Sequence, residues 1–227
     1  MNNITVILPT FNSSKNINKT LRNVNKYFKK IIIVDAESID DTRKIAKKYN
    51  SKIYLSNPNR GKQLHIGAKE CDTDWFLFLH SDTLLGNNSY NEIKRFIKIN
   101  NKNKAAYFKL KFNEKNIYAL FIENLVYLRN IIFKLPYGDQ GLLISKSLYN
   151  KIGGFKPMPI MEDIYIIRKI GYKNLYLMNG NIITDADKYR RQGWIKRPLL
   201  NLICLMLYFI GYDLNKISKI YYNVPKS

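Results

Sequence analysis

The chain has 227 residues, 46% of them hydrophobic, with 38 Lys and Arg against 17 Asp and Glu and a formal net charge of +21. That length suits one large α/β domain, or one domain with a C-terminal extension, and is enough to bury a sizeable core. Cys71 and Cys204 sit singly in apolar helical patterns and give neither a disulfide framework nor a CxxC metal site, so a reducing compartment is expected.

The charge by itself would point to nucleic acid or an anionic membrane. Lys and Arg are scattered over all expected helices, however, and runs such as Ile99-Asn100-Asn101-Lys102 mark a compositional bias. There is no basic arm and no alternation of basic and aromatic residues, so nucleic acid is not expected as a partner. Thr5-Val6-Ile7-Leu8 stops at Pro9, too short a run for a signal peptide, and the expected location is the cytoplasm.

Thr5 to Leu8 reads as a strand, followed after Pro9-Thr10-Phe11-Asn12 by a helix capped at Ser13 or Ser14, with Ile17, Leu21, Val24 and Phe28 at helical spacing. Ile31 to Val34 is a second buried strand ending at Asp35, and Asp40 or Asp41 opens a second helix carrying Ile45, Ala46 and Tyr49. The third strand, Ile53 to Leu55, leads through Asn57-Pro58-Asn59-Arg60-Gly61 into a helix with Leu64, Ala68 and Cys71. Trp75 to Leu79 is a fourth, fully apolar strand that runs into His80-Ser81-Asp82-Thr83 and a loop with Gly86, Asn87 and Asn88. Strands alternating with helices imply parallel neighbours with their carboxyl ends on one edge, so the loops at Asp35, at Arg60-Gly61-Lys62 and at Asp82 should meet in one crevice. No G-x-G-x-x-G follows the first strand and no P-loop occurs, which disfavours a dinucleotide enzyme and a P-loop NTPase.

The second half is less regular. Residues 105 to 112 suggest a strand, and Ile117 to Phe133 a long helix with Leu120, Phe121, Leu125 and Leu128 on one side, ended by Pro136. Tyr137-Gly138-Asp139-Gln140-Gly141 makes a polar loop before a short strand, Leu142 to Ile144. A helix closes at Gly153-Gly154-Phe155, and the Pro157-Met158-Pro159 connector sets up Glu162-Asp163 at the head of a helix with Ile164, Ile167 and Ile170. One acid in such a crevice can hold a metal bridged to phosphates while another takes a proton from a hydroxyl.

Five pieces, taken together and in this order, resemble the family 2 glycosyltransferases of GT-A fold: Leu8-Pro9-Thr10-Phe11-Asn12, Val34-Asp35 through Asp41-Thr42, His80-Ser81-Asp82-Thr83, Gly153-Gly154-Phe155 and Glu162-Asp163. His80-Ser81-Asp82-Thr83 with Pro136-Tyr137-Gly138-Asp139-Gln140-Gly141 is similar to one bacterial subgroup of small stand-alone members. The resemblance implies an α/β fold with a mostly parallel, Rossmann-like sheet flanked by helices. It also implies inverting transfer of a sugar from a nucleotide-diphosphate sugar, UDP-linked or else GDP-linked, to an acceptor hydroxyl with Mn²⁺ or Mg²⁺. Pro9, Thr10, Asn12, Asp35, Lys62, Ser81 and Asp82 would then line the donor site. Asp82 would hold the metal with His80 as a candidate second ligand, although imidazole suits Mg²⁺ poorly. Asp163 would be the general base supported by Glu162, and Asp139 and Gln140 would meet sugar or acceptor hydroxyls. Tyr189-Arg190-Arg191-Gln192-Gly193-Trp194 is only loosely similar to the Q-x-x-R-W motif of processive members; from it Arg190, Arg191 and Trp194 are candidates for the diphosphate.

The domain is expected over residues 1–195, with 196–227 as an apolar and basic helical extension packed on it or at a membrane surface. Leu199 to Ile210 is apolar almost all round but far short of the roughly 20 residues that span a bilayer, and Lys196, Arg197, Lys216 and Lys219 flank it. A peripheral seat on the inner face of the cell membrane with a lipid-linked acceptor, a core helix and a homodimer contact all fit this pattern. Two other functions remain consistent with the altered acid motif and the charge: a non-catalytic GT-A-like binding or scaffold protein, and a polyanion-binding protein.

Overall fold

The computed structural model describes residues 3–99 and 102–223, so residues 1–2 of the expected domain and 224–227 of the expected extension lie outside the described residues. β1 (Ile4–Thr10) is buried at every position, and α1 (Ser14–Val24) lays Ile17, Leu21 and Val24 inward at the spacing read from the sequence. β2 (Lys30–Asp35), α2 (Thr42–Ala46), β3 (Ser51–Leu55), α3 (Arg60–Lys69) and β4 (Trp75–Phe78) complete the alternation. β1 lies between β2 and β4 with β3 outside β2, all parallel, which sets their carboxyl ends along one edge. β4 has no polar position because both its faces are covered: Trp75 and Leu77 enter one core layer, Phe76 and Phe78 the other.

Beyond β4 the sheet becomes mixed. β5 (Thr83–Leu85) and α4 (Ser89–Ile99) flank the Gly86-Asn87-Asn88 loop and have no counterpart in the sequence reading. Then come β6 (Ala105–Phe112), α5 (Ile117–Phe133), β7 (Leu142–Ser145), α6 (Lys146–Lys151), α7 (Glu162–Ile170), β8 (Leu175–Thr184), α8 (Asp187–Gln192), α9 (Lys196–Phe209) and α10 (Leu214–Tyr222). Among the described residues the sheet order is β3-β2-β1-β4-β7-β6-β8-β5, with β7 antiparallel to β4 and β6, β8 parallel to β6, and β5 antiparallel to β8. β8 has no strand signature because Asn179-Gly180-Asn181 reads as a turn. The structure takes that triplet into the sheet as an irregularity, the partner of Tyr107 being Leu177 and that of Lys109 being Asn181.

The face of α5 is opposite to expectation. The side carrying Leu120, Phe121, Leu125 and Leu128 is exposed, and the helix packs on β6 through a narrow stripe of Ala119, Ile122, Glu123 and Asn130. Glu123 explains the choice: its carboxylate accepts from Phe112 N at 2.7 Å and from Lys111 Nζ at 2.6 Å, so the helix is held by a carboxylate as well as by apolar contact. α9 and α10 pack through Cys204, Leu205 and Ile217 onto Ile160, Met161 and Ile164 at the head of α7.

Candidate active site

A crevice of about 100 Å³ opens beyond the carboxyl end of β4, lined among others by Arg60, His80, Asp82, Asp139, Asp163 and Lys188. Five separate segments bring these residues together, α8 supplying Lys188. The loop after β4 gives His80 and Asp82, α3 gives Arg60, the 137–141 loop gives Asp139, and α7 gives Asp163.

Asp163 is aimed by its surroundings. Met161 takes a left-handed backbone with φ +66°, which turns the first residues of α7 toward the crevice. Gly138 N donates to Asp163 Oδ2 at 2.8 Å, Ile164 N donates to Oδ1 at 2.8 Å, and Arg60 Nη2 stands 3.9 Å from Oδ2. Glu162 is 2% exposed and accepts a hydrogen bond from Arg60 Nε, so one guanidinium ties the buried acid to the aimed one. Burial pushes the Glu162 carboxyl up and Arg60 opposes this. A Cβ at Gly138 would lie 2.9 Å from His80 Nε2 and 3.3 Å from Asp163 Oδ2, so only glycine lets these two side chains converge there. Burial, with Arg60 and Lys188 adding to it, holds His80 well below the usual imidazole range, and the ring is neutral at pH 7.

Asp82 accepts one long side-chain hydrogen bond, from Thr83 Oγ1 at 3.4 Å, and burial pushes its carboxyl up while Lys188 pulls it down. Asp139 is more strained electrostatically. Its Oδ1 is buried with no hydrogen-bond partner, and burial, together with the charges of Asp163 and Asp82, pushes it up to about 6 against the opposing Arg129. Lys188 is pushed down by burial and by Arg60 and held up by Asp82.

Several expected residues stand elsewhere. Asp35 is fully buried and its carboxylate accepts from Thr10 Oγ1 at 2.7 Å, Ser38 Oγ at 2.7 Å and Ser38 N at 2.8 Å, which shapes the loop after β2. Pro9 is buried in β1, paired with Val34. Asn12, at φ +47°, accepts from Ile39 N at 3.0 Å and so clamps the first two loops together, and Ser81 donates to Ser13 Oγ at 2.9 Å. Lys62 is exposed beside the helix cap, its backbone held by Asn59, and Arg60 is the basic residue of that loop that lines the crevice. Gln140 is fully buried, donating to Phe108 O at 2.9 Å and accepting from Arg129 Nη2 at 2.9 Å, so it braces the 137–141 loop.

The basic segment after β8 is also redistributed. Arg190 pairs with Glu114 and Asp185, Arg191 pairs with Asp187 at 3.0 Å, and Trp194 packs on Phe112 and Tyr189. Lys188, on the same short helix, is the cation that enters the crevice instead. Arg197, Asn201 and Tyr221 of α9 and α10 complete the wall, and Asn201 Oδ1 is buried without a partner. No sequence signal marks these four, because Lys188 follows an unrecognised strand and the other three lie in what reads as an apolar extension.

A sheet of this order with acids at the β4 edge and at the head of α7 is that of a GT-A transferase. The glycosyl transferase family 2 model matches residues 5–152, well over half of the chain. The chain belongs to that family and is an enzyme of the glycosyltransferase class. It is similar to the O-antigen chain rhamnosyltransferase WbaN of Salmonella anatum, 26% identical over 219 residues that cover 85% of this chain and 69% of that protein. A glycosyltransferase of Rickettsia conorii is 27% identical over 201 residues, covering 83% and 68%. Among solved structures, Staphylococcus aureus TarS 1-349 superposes with a TM-score of 0.60 at 19% identity over 97% of this chain and 69% of that one. The mannosyltransferase PcManGT of Pyrobaculum calidifontis, in complex with GDP-Man and Mn²⁺, superposes with a TM-score of 0.62 at 13% identity over 97% and 69%.

Proposed function

We propose that the crevice transfers a sugar from a nucleotide-diphosphate sugar to an acceptor hydroxyl with inversion. The observation that carries this reading is the aimed, half-buried Asp163 carboxylate across the crevice from Asp82, with Lys188 beside it. The acceptor oxygen attacks the anomeric carbon from the face opposite the leaving group while its proton passes to Asp163. The bond from the anomeric carbon to the diphosphate oxygen breaks, and the leaving diphosphate carries away the electron pair. One displacement inverts the centre. Lys188 meets the charge that grows on the diphosphate, and Arg60 with Glu162 keeps Asp163 in position.

Solved neighbours were crystallised with UDP-GlcNAc, with GDP-Man and Mn²⁺, and with UDP-Glc and Mn²⁺, which supports a nucleotide-sugar donor and a divalent cation. Among the described residues no three His, Cys, Asp or Glu could hold a metal ion unaided. Asp82, whose side-chain partner Thr83 stands at a long 3.4 Å, is the carboxylate that would hold a hard divalent cation, which prefers oxygen ligands. Such a cation would neutralise charge on the leaving group. His80 is turned to Gly138 and Asp163, which favours a positioning role for it. Phe11 and Ile39 are exposed at the tips of the first two loops, beside Asn12, and would form an apolar rim for the base. Two of the three donors in the solved neighbours are UDP-linked, so UDP is favoured over GDP.

The test is donor hydrolysis followed by proton NMR. Wild type with Mn²⁺ should release the sugar first as the anomer opposite to that of the donor, and Asp163→Asn should keep nucleotide binding but lose release by at least 100-fold. Retention of configuration, or full release by Asp163→Asn, would overturn the reading.

A further inference from the structure

Helix α5 shows no charge to solvent on any side. Every exposed position along it except Asn124 is aliphatic or aromatic, Phe121 being 62% and Ile117 76% exposed. Its two charged residues are turned in: Glu123 onto Lys111 and Phe112, and Arg129 onto Gln140 and the ring of Tyr137 at 3.5 Å. A solvated helix on a domain surface normally carries its polar residues outward, and an apolar patch of this extent marks a covered surface. Helix α9 adds a second exposed stripe, Leu199, Leu202, Met206 and Phe209 at helical spacing.

Both helices connect to the crevice wall, α5 through Tyr137 and α9 through Arg197 and Asn201. Arg129 of α5 stacks on Tyr137, Tyr137 and Leu135 pack against the apolar cluster that α9 joins through Cys204 and Leu205, and Tyr137, Arg197 and Asn201 line the crevice. α5 has 17 residues and among the described residues no helix is long and apolar enough to cross a membrane. Packed along β6 for about 25 Å, it can only lie flat on whatever covers it.

We infer that α5 and α9 together seat the protein on an anionic bilayer surface, with the crevice opening at the lipid side. Charge selects this occupant. No acid appears on the exposed side of either helix, Lys115 precedes α5, Lys134 follows it and Lys196 heads α9, on a chain of net charge +21. Anionic headgroups complement that frame, whereas a second copy docked face to face would bring the same lysines together. The seat stands independently of the proposed transfer, and only its consequence, that the acceptor arrives on a lipid, rests on that reading.

Flotation with phosphatidylglycerol vesicles tests it, using the full chain, Phe121→Asp/Leu128→Asp on α5 and Leu202→Asp on α9, with nucleotide titration as a measure of intact fold. Wild type should float, the α5 double variant should partition at least tenfold less, and the α9 variant should fall in the same direction, all with unchanged nucleotide affinity. Failure of wild type to float, equal flotation of the α5 variant, or a wild-type dimer by light scattering that the α5 variant converts to monomer would each overturn it. Loss of nucleotide binding by wild type with flotation intact would instead overturn the transfer reading alone.

Discussion

Burial makes the Asp139 carboxyl a costly group to ionise. Its value of about 6 lies above that of the unfolded chain, so between roughly pH 4 and 6 the folded protein holds a proton that the unfolded chain has lost. Stability therefore falls as pH rises through that window and stays lowered above it. Asp139→Asn should raise stability at pH 8 by about 2 to 3 kcal/mol and change it little at pH 4, while reducing transfer, as urea melts at the two pH values and donor turnover would record. Equal stabilisation at both pH values would contradict the cause given. Lys188→Ala should weaken donor binding ~10- to 100-fold by calorimetry without moving the melting temperature downward, since it removes a buried cation that folding itself must desolvate. Arg60→Ala leaves Glu162 buried without its partner and should cost about 3 kcal/mol of stability in denaturant titration, and Arg60→Lys should recover part of that but little of the turnover.

The reach of the sequence ends where element packing takes over. The first four strands and their helices are legible because the apolar period is clear there, although of the three helices only α3 makes a side-chain cap, at Asn59, and Asp82, Asp139 and Asp163 all line the crevice beyond the strand edge. Which residue of a loop turns inward is not legible in the sequence: Arg60 lines the crevice while Lys62, held only by its backbone N–H at the helix cap, is exposed, and Gln140 and Asp35 bond to the chain itself. Periodicity could not tell the packed side of α5 from its exposed side, since the helix is apolar nearly all round. α3 makes a prediction at this scale. A Cβ on Gly61 would lie 2.0 Å from Lys156 O, so Gly61→Ala must lift α3 from the connector ahead of α7 and pull Arg60 away from Glu162. The expected loss is about 2 kcal/mol or more, with turnover falling further than stability alone explains, measured by thermal melts and donor hydrolysis on the same samples.

At the scale of the molecule, the site is built across the limit of the family match. Residues 5–152 supply His80, Asp82 and Asp139, while Asp163, Lys188 and the wall from α9 and α10 lie beyond it. The C-terminal helices are packed on α7 and contribute Arg197, Asn201 and Tyr221, so they belong to the crevice as well as to the surface. The most direct measurement is a calorimetric titration of UDP and of GDP, with and without Mn²⁺, into wild type, Asp82→Ala and Lys188→Ala. The account predicts that one nucleotide binds wild type in a Mn²⁺-dependent manner and that each substitution weakens it at least tenfold. Absence of binding by both nucleotides, or binding untouched by either substitution, would contradict the claim that this crevice is a nucleotide-sugar site.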